Sequence, residues 1–182
     1  MMNKSVYDTP NKSTDIDRHI LTVLVDNEPG VLARVIGMFS GRGYNIDSLN
    51  VAEVSNQHLS RITIVTHGTK EVIEQIQSQL MRIVPVHSVT NLDEEDNAVE
   101  AEVALVNIFV NEKNKKQVFQ ICDLYRARKI ENEHNATIFE IAGTSERIDT
   151  YIKDISKVTN IEIVRSGPVA ISSVNKNQKE EK

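Results

Sequence analysis

The sequence predicts an α+β protein made of two tandem βαββαβ sandwiches, and three observations carry that expectation. Short runs rich in Val, Ile and Leu alternate with stretches of helical periodicity. Gly, Asn and Pro fall between them, where a strand would turn into a helix or into another strand. The order strand, helix, strand, strand, helix, strand then occurs twice along the chain.

Residues 19–25 form a nearly continuous apolar run ending at Asp26-Asn27-Glu28-Pro29-Gly30, a strand followed by turn chemistry. Val31, Leu32, Val35, Ile36, Met38 and Phe39 recur at helical spacing and stop at Gly41 and Gly43, giving a helix with one face toward a sheet. Residues 45–54 read as the second strand and 59–66 as the third, with Asn56-Gln57-His58 turning between them. Gly68-Thr69 opens a second helix carrying Val72, Ile73, Ile76 and Leu80. Residues 84–90 close the set, Pro85 pointing to an edge strand.

After an acidic stretch the order returns. A strand at 103–110 precedes a helix marked by Val118, Ile121, Cys122 and Tyr125. Hairpin strands at 128–133 and 137–142 flank His134-Asn135, Ile148, Tyr151, Ile152 and Ile155 mark another helix, and residues 161–171 form a last strand. Gly68-Thr69-Lys70-Glu71 with Ile73 and Gly143-Thr144-Ser145-Glu146 with Ile148 fall at equivalent places in the two halves. The expected organisation is a flexible polar tail (1–18), a first module (19–92), an acidic linker (93–100), a second module (101–174) and a polar tail (175–182). Modules of about 75 residues are marginal alone. Each also has one sheet face without helices, which docking or oligomerisation should cover.

The composition narrows the function. With 182 residues, 40% apolar and only 4% aromatic without any Trp, the cores are packed with aliphatic side chains. A net charge of −5 and the absence of an Arg-rich stripe argue against a nucleic-acid partner. Cys122 is alone, so no internal disulfide forms, and a reducing compartment fits. No apolar run approaches the roughly 18 residues of a membrane span, and the first residues lack the apolar core of a signal peptide. The expected location is the cytoplasm.

Catalytic chemistry is missing from the pattern. There is no G-x-x-x-x-G-K-[ST], Gly41-Arg42-Gly43 lacks the third glycine of a dinucleotide loop, and the five histidines never pair at metal-binding spacing. Cys122 lies on an apolar helix stripe and reads as core. Asp93-Glu94-Glu95-Asp96 lacks the Gly and distal Glu of a calcium loop and reads as a solvated hinge.

One constellation has the makings of a site. In Asp26-Asn27-Glu28-Pro29-Gly30-Val31-Leu32, the N–H groups of Gly30, Val31 and Leu32 open a helix, where unpaired donors suit a carboxylate. Asn27 offers a donor and an acceptor, for a carboxylate or an ammonium, and Val31 offers an apolar wall. The same residues also read as ordinary turn chemistry, with Asn27 as the helix N-cap. At the other end of that helix, polar Asn45 followed by apolar Ile46 could complement an amino acid's charged and apolar ends, or Asn45 could be a simple left-handed turn residue.

The stretch His19-Ile20-Leu21-Thr22-Val23-Leu24-Val25-Asp26-Asn27-Glu28-Pro29-Gly30-Val31-Leu32-Ala33-Arg34-Val35 resembles the opening of an ACT domain, the ferredoxin-like amino-acid-sensing module. Its continuation, Ile36-Gly37-Met38-Phe39-Ser40-Gly41-Arg42-Gly43-Tyr44-Asn45-Ile46-Asp47-Ser48-Leu49, together with Leu59-Ser60-Arg61-Ile62-Thr63-Ile64, is similar to the small regulatory subunits of acetolactate synthase. Tyr125-Arg126-Ala127, Ala142-Gly143-Thr144-Ser145 and Arg165-Ser166-Gly167 resemble that family's C-terminal domain, which is ACT-like in fold. Asn107, where the family would place a basic residue, and the polar stretch 130–134 depart from it.

The resemblance implies that this chain is not itself an enzyme. It would activate a separate catalytic large subunit that holds thiamine diphosphate, Mg and FAD and condenses two pyruvates to acetolactate and CO2. It also implies homodimerisation through ACT domains and feedback inhibition by valine in branched-chain amino acid biosynthesis. The effector would lie between Asn27, Gly30, Val31 and Leu32 of one chain and Asn45 and Ile46 of its neighbour. A stand-alone amino-acid sensor for another enzyme or regulator is the alternative.

Overall fold

The computed structural model describes residues 15–94, 98–133 and 136–172. In the first module β1 (Asp17–Asp26), β2 (Ser48–Glu53), β3 (Leu59–Gly68) and β4 (Val86–Asn91) form one antiparallel sheet in the order β2-β3-β1-β4. Helices α1 (Val31–Gly41) and α2 (Lys70–Leu80) lie on one face. In the second, β5 (Ala98–Phe109), β6 (Arg128–Glu133), β7 (Ala136–Gly143) and β8 (Ile161–Arg165) are ordered β6-β7-β5-β8, under α3 (Lys115–Leu124) and α4 (Ser145–Ser156). A short strand β9 (Val169–Ser172) pairs with β5. The predicted α+β class and doubled βαββαβ order are what the chain adopts.

The periodicities explain the cores. Val31, Val35 and Phe39 on α1 and Ile73, Ile76 and Leu80 on α2 meet Leu21, Val23, Val25, Ile62 and Ile64, which alternate along β1 and β3. In the second module Val118 and Cys122 on α3 and Ile148, Tyr151 and Ile155 on α4 meet Ala104, Val106, Ile108, Phe139 and Ile141. Each fully buried aliphatic side chain contributes about 1.5–3 kcal/mol. Thr69 and Thr144 both stand as the N-caps of their helices, and the Ile four residues on is buried in both cases. The local match in sequence is therefore a match in structure. β4 is an edge strand as Pro85 implies, although Pro85 itself lies just outside it.

Beyond smaller shifts, such as β2 starting at Ser48 rather than 45, three boundaries differ from the sequence reading. Asp17 and Arg18, expected in the polar tail, belong to β1, where they pair with Gly68 and His67 of β3, and the Arg18 side chain finds Glu100 at 2.8 Å. The linker is shorter than 93–100: Leu92–Glu94 is a single 3-10 turn, and Ala98 to Glu100 already belong to β5. Asp93 accepts the Ile20 N–H at 3.1 Å, so this part of the acidic run is docked on β1 rather than a solvated hinge. Glu95 and Asp96, His134-Asn135 and the tail 175–182 lie outside the described residues. Finally, the strand expected over 161–171 is broken at Ser166-Gly167-Pro168, where Gly167 has φ 71°.

That break has a purpose in the packing. β5 is twelve residues long; Ala104 to Ile108 pair with β8, and Ala98 to Ala101 pair with β9. The far end of this ribbon leaves the second sheet and crosses the helix-free face of the first. There Ala170 packs with Ile20, Val65 and Leu92. A Cβ on Gly167 would lie 2.8 Å from Ser48 Cβ, and Asn50 Nδ2 donates to the Pro168 carbonyl at 3.0 Å. Gly167 thus needs both its dihedral and its lack of a side chain.

A polar chain fastens the same corner. Arg165 grips the buried Glu102 carboxylate with two N–H groups at 2.6 and 2.8 Å, and Ser145 Oγ donates to it at 2.9 Å. The Ser145 N–H donates to Glu100, which also receives Arg18 from the first module. Arg165 holds the Glu102 carboxyl below the usual carboxylate range despite burial, which pushes it up. Its stabilisation is therefore full above the ordinary glutamate range and fades as pH falls through the lowered value.

Two outcomes are expected. Glu102→Gln should lose about 1–3 kcal/mol at pH 7, the partly exposed Arg165 keeping the figure below that of a fully buried pair. In urea titrations it should also lose less stability than the parent between pH 7 and 3. Gly167→Ala should cost about 1–3 kcal/mol in the same assay, from left-handed strain and the clash with Ser48.

Candidate functional site

At the end of β1 the chain is held tightly before it turns into α1. The Asp26 N–H donates to the Pro85 carbonyl at 2.9 Å and the Asn27 N–H to the His58 carbonyl at 2.8 Å. The Asn27 amide then donates from Nδ2 to Glu53 Oε1 and to the Gln57 carbonyl, both at 3.0 Å. Asn27 is thus not the helix N-cap. Gly30 occupies that place, at φ 89°, with no side chain to cap. A Cβ there would meet nothing within 4 Å, so the position calls for glycine by its dihedral, and the space before it is open.

The donors at the helix start remain available. Val31 N–H makes a long turn contact with the Glu28 carbonyl at 3.4 Å. Those of Gly30, Leu32 and Ala33 have no acceptor among the described residues. Two parts of the sequence reading change here. The Val31 side chain is 3% exposed and sits in the core, so it is no wall; Leu32, 36% exposed, and Ile36 are the apolar groups on the open side. Asn27 spends both amide protons on groups that only accept, so its Oδ1 is turned away from them as an acceptor.

The second segment follows α1. Gly43 at φ 71° turns the chain, and Tyr44 N–H bonds the Phe39 carbonyl at 3.0 Å while its ring meets Phe39 edge-on. Asn45 is exposed. Its carbonyl accepts Thr66 Oγ1 at 2.6 Å, and its Nδ2 donates to Asp47 Oδ1 at 2.6 Å. Asp47 in turn receives His67 Nδ1 at 2.6 Å. Ile46 is half-buried against the core.

Within one chain these two segments lie apart. Asn27, Gly30, Val31 and Leu32 are together, near Glu53 at the far end of β2. Asn45 and Ile46 precede Ser48 at its start, and α1, eleven residues or about 16 Å long, separates them. The residues missed by the sequence reading are Glu53, Gln57, Asp47 and His67. Only Asp47, two positions after Asn45, carried a local signal, since short polar side chains at that spacing commonly bond.

Elsewhere, a groove of about 380 Å³ runs between the helix-free face of the first sheet, at Asn50, Arg61 and Thr63, and the ribbon, at Val99, Val169 and Ile171. It went unforeseen because it exists only once β9 folds back. Among the described residues nothing resembles a reactive centre. Burial pushes the Cys122 thiol and the Tyr151 hydroxyl up, so both stay protonated in the core. Among the described residues no three His, Cys, Asp or Glu side chains converge on a metal position. No helix among them is long and apolar enough to cross a membrane.

Comparison with known proteins agrees with this division of the chain. Residues 21–88 match the family described as an AHAS small subunit-like ACT domain. Residues 101–174 match the family described as the small subunit of acetolactate synthase. The acetolactate synthase small subunit of Buchnera aphidicola (subsp. Baizongia pistaciae) is 41% identical over 84% of this chain and 96% of its own length. The isozyme 3 small subunit of Escherichia coli is 40% identical over 87% and 98%. The crystal structure of the Thermotoga maritima acetolactate synthase small subunit superposes with a TM-score of 0.79 at 34% identity, over 88% of this chain and 99% of that one. With both modules matched in order and relatives covered almost end to end, the chain belongs to the acetolactate synthase small-subunit family.

Proposed function

We propose that this chain is the non-catalytic regulatory subunit of an acetolactate synthase acting in the cytoplasm. It raises the activity of a catalytic large subunit that carries thiamine diphosphate, Mg and FAD, and it confers feedback inhibition by binding valine between two ACT domains. The observation that carries this reading is the placement of the two half-sites at opposite ends of one edge strand. Among the described residues β2 is paired on one side only, with β3. If two copies pair antiparallel along β2, the Asn45 end of one meets the Asn27 end of the other, and two complete sites form about the twofold axis.

The free groups suit a zwitterion. The effector carboxylate meets the N–H groups that open α1, where helix polarity adds about 0.3–2 kcal/mol. Its ammonium meets Asn27 Oδ1 in a neighbourhood that also holds Glu28 and Glu53. Leu32 and Ile36 offer apolar surface to a branched side chain, whose burial contributes about 1.5–3 kcal/mol. After the cost of association, affinity on the order of micromolar to millimolar follows, suited to a metabolite sensor. Inhibition results if the paired arrangement that holds valine is also the one that lowers activity of the catalytic subunit, with a coupling of about 1–3 kcal/mol.

The test is enzymatic, on the complex reconstituted with its catalytic subunit. Asn27→Ala, which removes one charge-assisted contact, and Gly30→Asp, which sets a carboxylate against the effector's own and strains the backbone at φ 89°, should each raise the valine concentration for half-inhibition at least about tenfold. Both should leave activation intact. Full inhibition at the parental valine concentration in both variants would remove the site from consideration.

A further inference from the structure

Asn45 is held by a side-chain relay whose chemistry leaves only one orientation for its amide. A carboxylate accepts and never donates, so the group facing Asp47 Oδ1 at 2.6 Å must be Nδ2, and Asn45 Oδ1 is turned away. The second oxygen of Asp47 faces His67 Nδ1 at 2.6 Å, so that ring carries a proton on Nδ1. The backbone completes the frame: Asp47 N–H donates to the Val65 carbonyl at 2.9 Å, and Thr66 Oγ1 donates to the Asn45 carbonyl. Three consecutive residues of β3 thereby fix one exposed asparagine. The Asp47 and His67 side chains are 34% and 51% exposed, so their pairing adds little to stability. What it does determine is which atom of Asn45 looks outward.

We propose that Asp47, itself anchored by His67, is a positioning residue that makes the effector site selective for α-amino acids over the matching 2-oxo acids. It presents Asn45 Oδ1 as an acceptor, which suits an α-ammonium and leaves the keto oxygen of a 2-oxo acid facing another oxygen. Asn27 presents its Oδ1 in the same sense, for the reason given above. The distinction has a use, because the proposed catalytic partner works on 2-oxo acids that should not trigger the sensor. This inference rests on the effector reading of the two half-sites.

The test is calorimetry on the purified full chain, with L-valine and 3-methyl-2-oxobutanoate as probes. The parent should bind valine at least about thirtyfold more tightly than the oxo acid, since a site built for a hydrogen-bonding group rejects an analogue that lacks it. In Asp47→Ala the Asn45 amide turns freely. Valine affinity should fall about tenfold while that for the oxo acid holds or improves, so the preference collapses. Asp47→Asn keeps one acceptor for Asn45, with His67 able to change tautomer, and should retain most of the preference.

His67→Leu, which removes only the anchor, should lower the preference about threefold and serves if Asp47→Ala does not fold. An unchanged preference in the folded variants, or an equal loss of both ligands, would overturn the positioning role alone. A parent chain that binds no amino acid would overturn the effector reading and this inference with it.

Discussion

A sheet with helices on one side has a second face, and the way this chain treats that face governs the rest of its architecture. Alternation along β1 and β3 sends Leu21, Val23, Ile62 and Ile64 to the helices, but it leaves Ile20 and Val65 on the reverse. The protein covers part of that reverse with its own ribbon of β5 and β9, pinned by Gly167 against Ser48 and by the run of polar contacts from Arg18 to Arg165. Among the described residues the second sheet has no such cover. Val103, Leu105, Phe109 and Val164 remain substantially exposed on its helix-free side, and Asn107 among them has a buried oxygen without a partner among the described residues. One strand thus joins a module whose bare face is partly dressed to one whose bare face is open.

The proposed effector site follows a similar division of labour. In that proposal each copy holds two unlike half-sites, one of backbone donors at a helix start and one of a fixed amide, with a strand's length between them. An effector that needs both can be held only where two copies meet, so ligand binding and pairing strengthen one another by linkage. The groups that line the half-sites are largely exposed in the single chain, as expected of surfaces completed by another molecule.

Most of the architecture was legible from side-chain periodicity, because the cores depend on it: the stripes of α2 and α4, and Val31, Val35 and Phe39 within that of α1, translate into buried residues. The paired Gly-Thr helix starts were legible for the same reason, a local chemistry with a local consequence. What stayed hidden was non-local. No pattern within residues 161–171 marks Ser166 to Pro168 as the place where a strand changes sheets; Gly167 matters because Ser48, far away in sequence, lies against it. Arg18 and Asp93 read as solvated, since nothing nearby in sequence announces Glu100 or the Ile20 amide. At the candidate site, the strand-to-helix turn itself was legible but not the orientation of its side chains. Val31 belongs to the core because the helix phase begins there, and Asn27 loses its donors to Glu53 and Gln57, residues of a different hairpin.

The position of β9 also bears on how the molecule is made. Synthesis runs from the N-terminus, and the strands of the first sheet are complete at Asn91, whereas the strand that shields Ile20 and Val65 begins at Val169. At about 5–20 residues per second, the roughly eighty intervening residues take about 4–16 s to emerge. During that interval the nascent first module has a greasy flank turned to the solvent, and the finishing clasp arrives late. Sealing the first of the two sheets is left to a piece of chain made some time after it, which makes the emergence of Gly167 to Ser172 from the ribosome the moment at which this half of the protein stops being vulnerable to clumping.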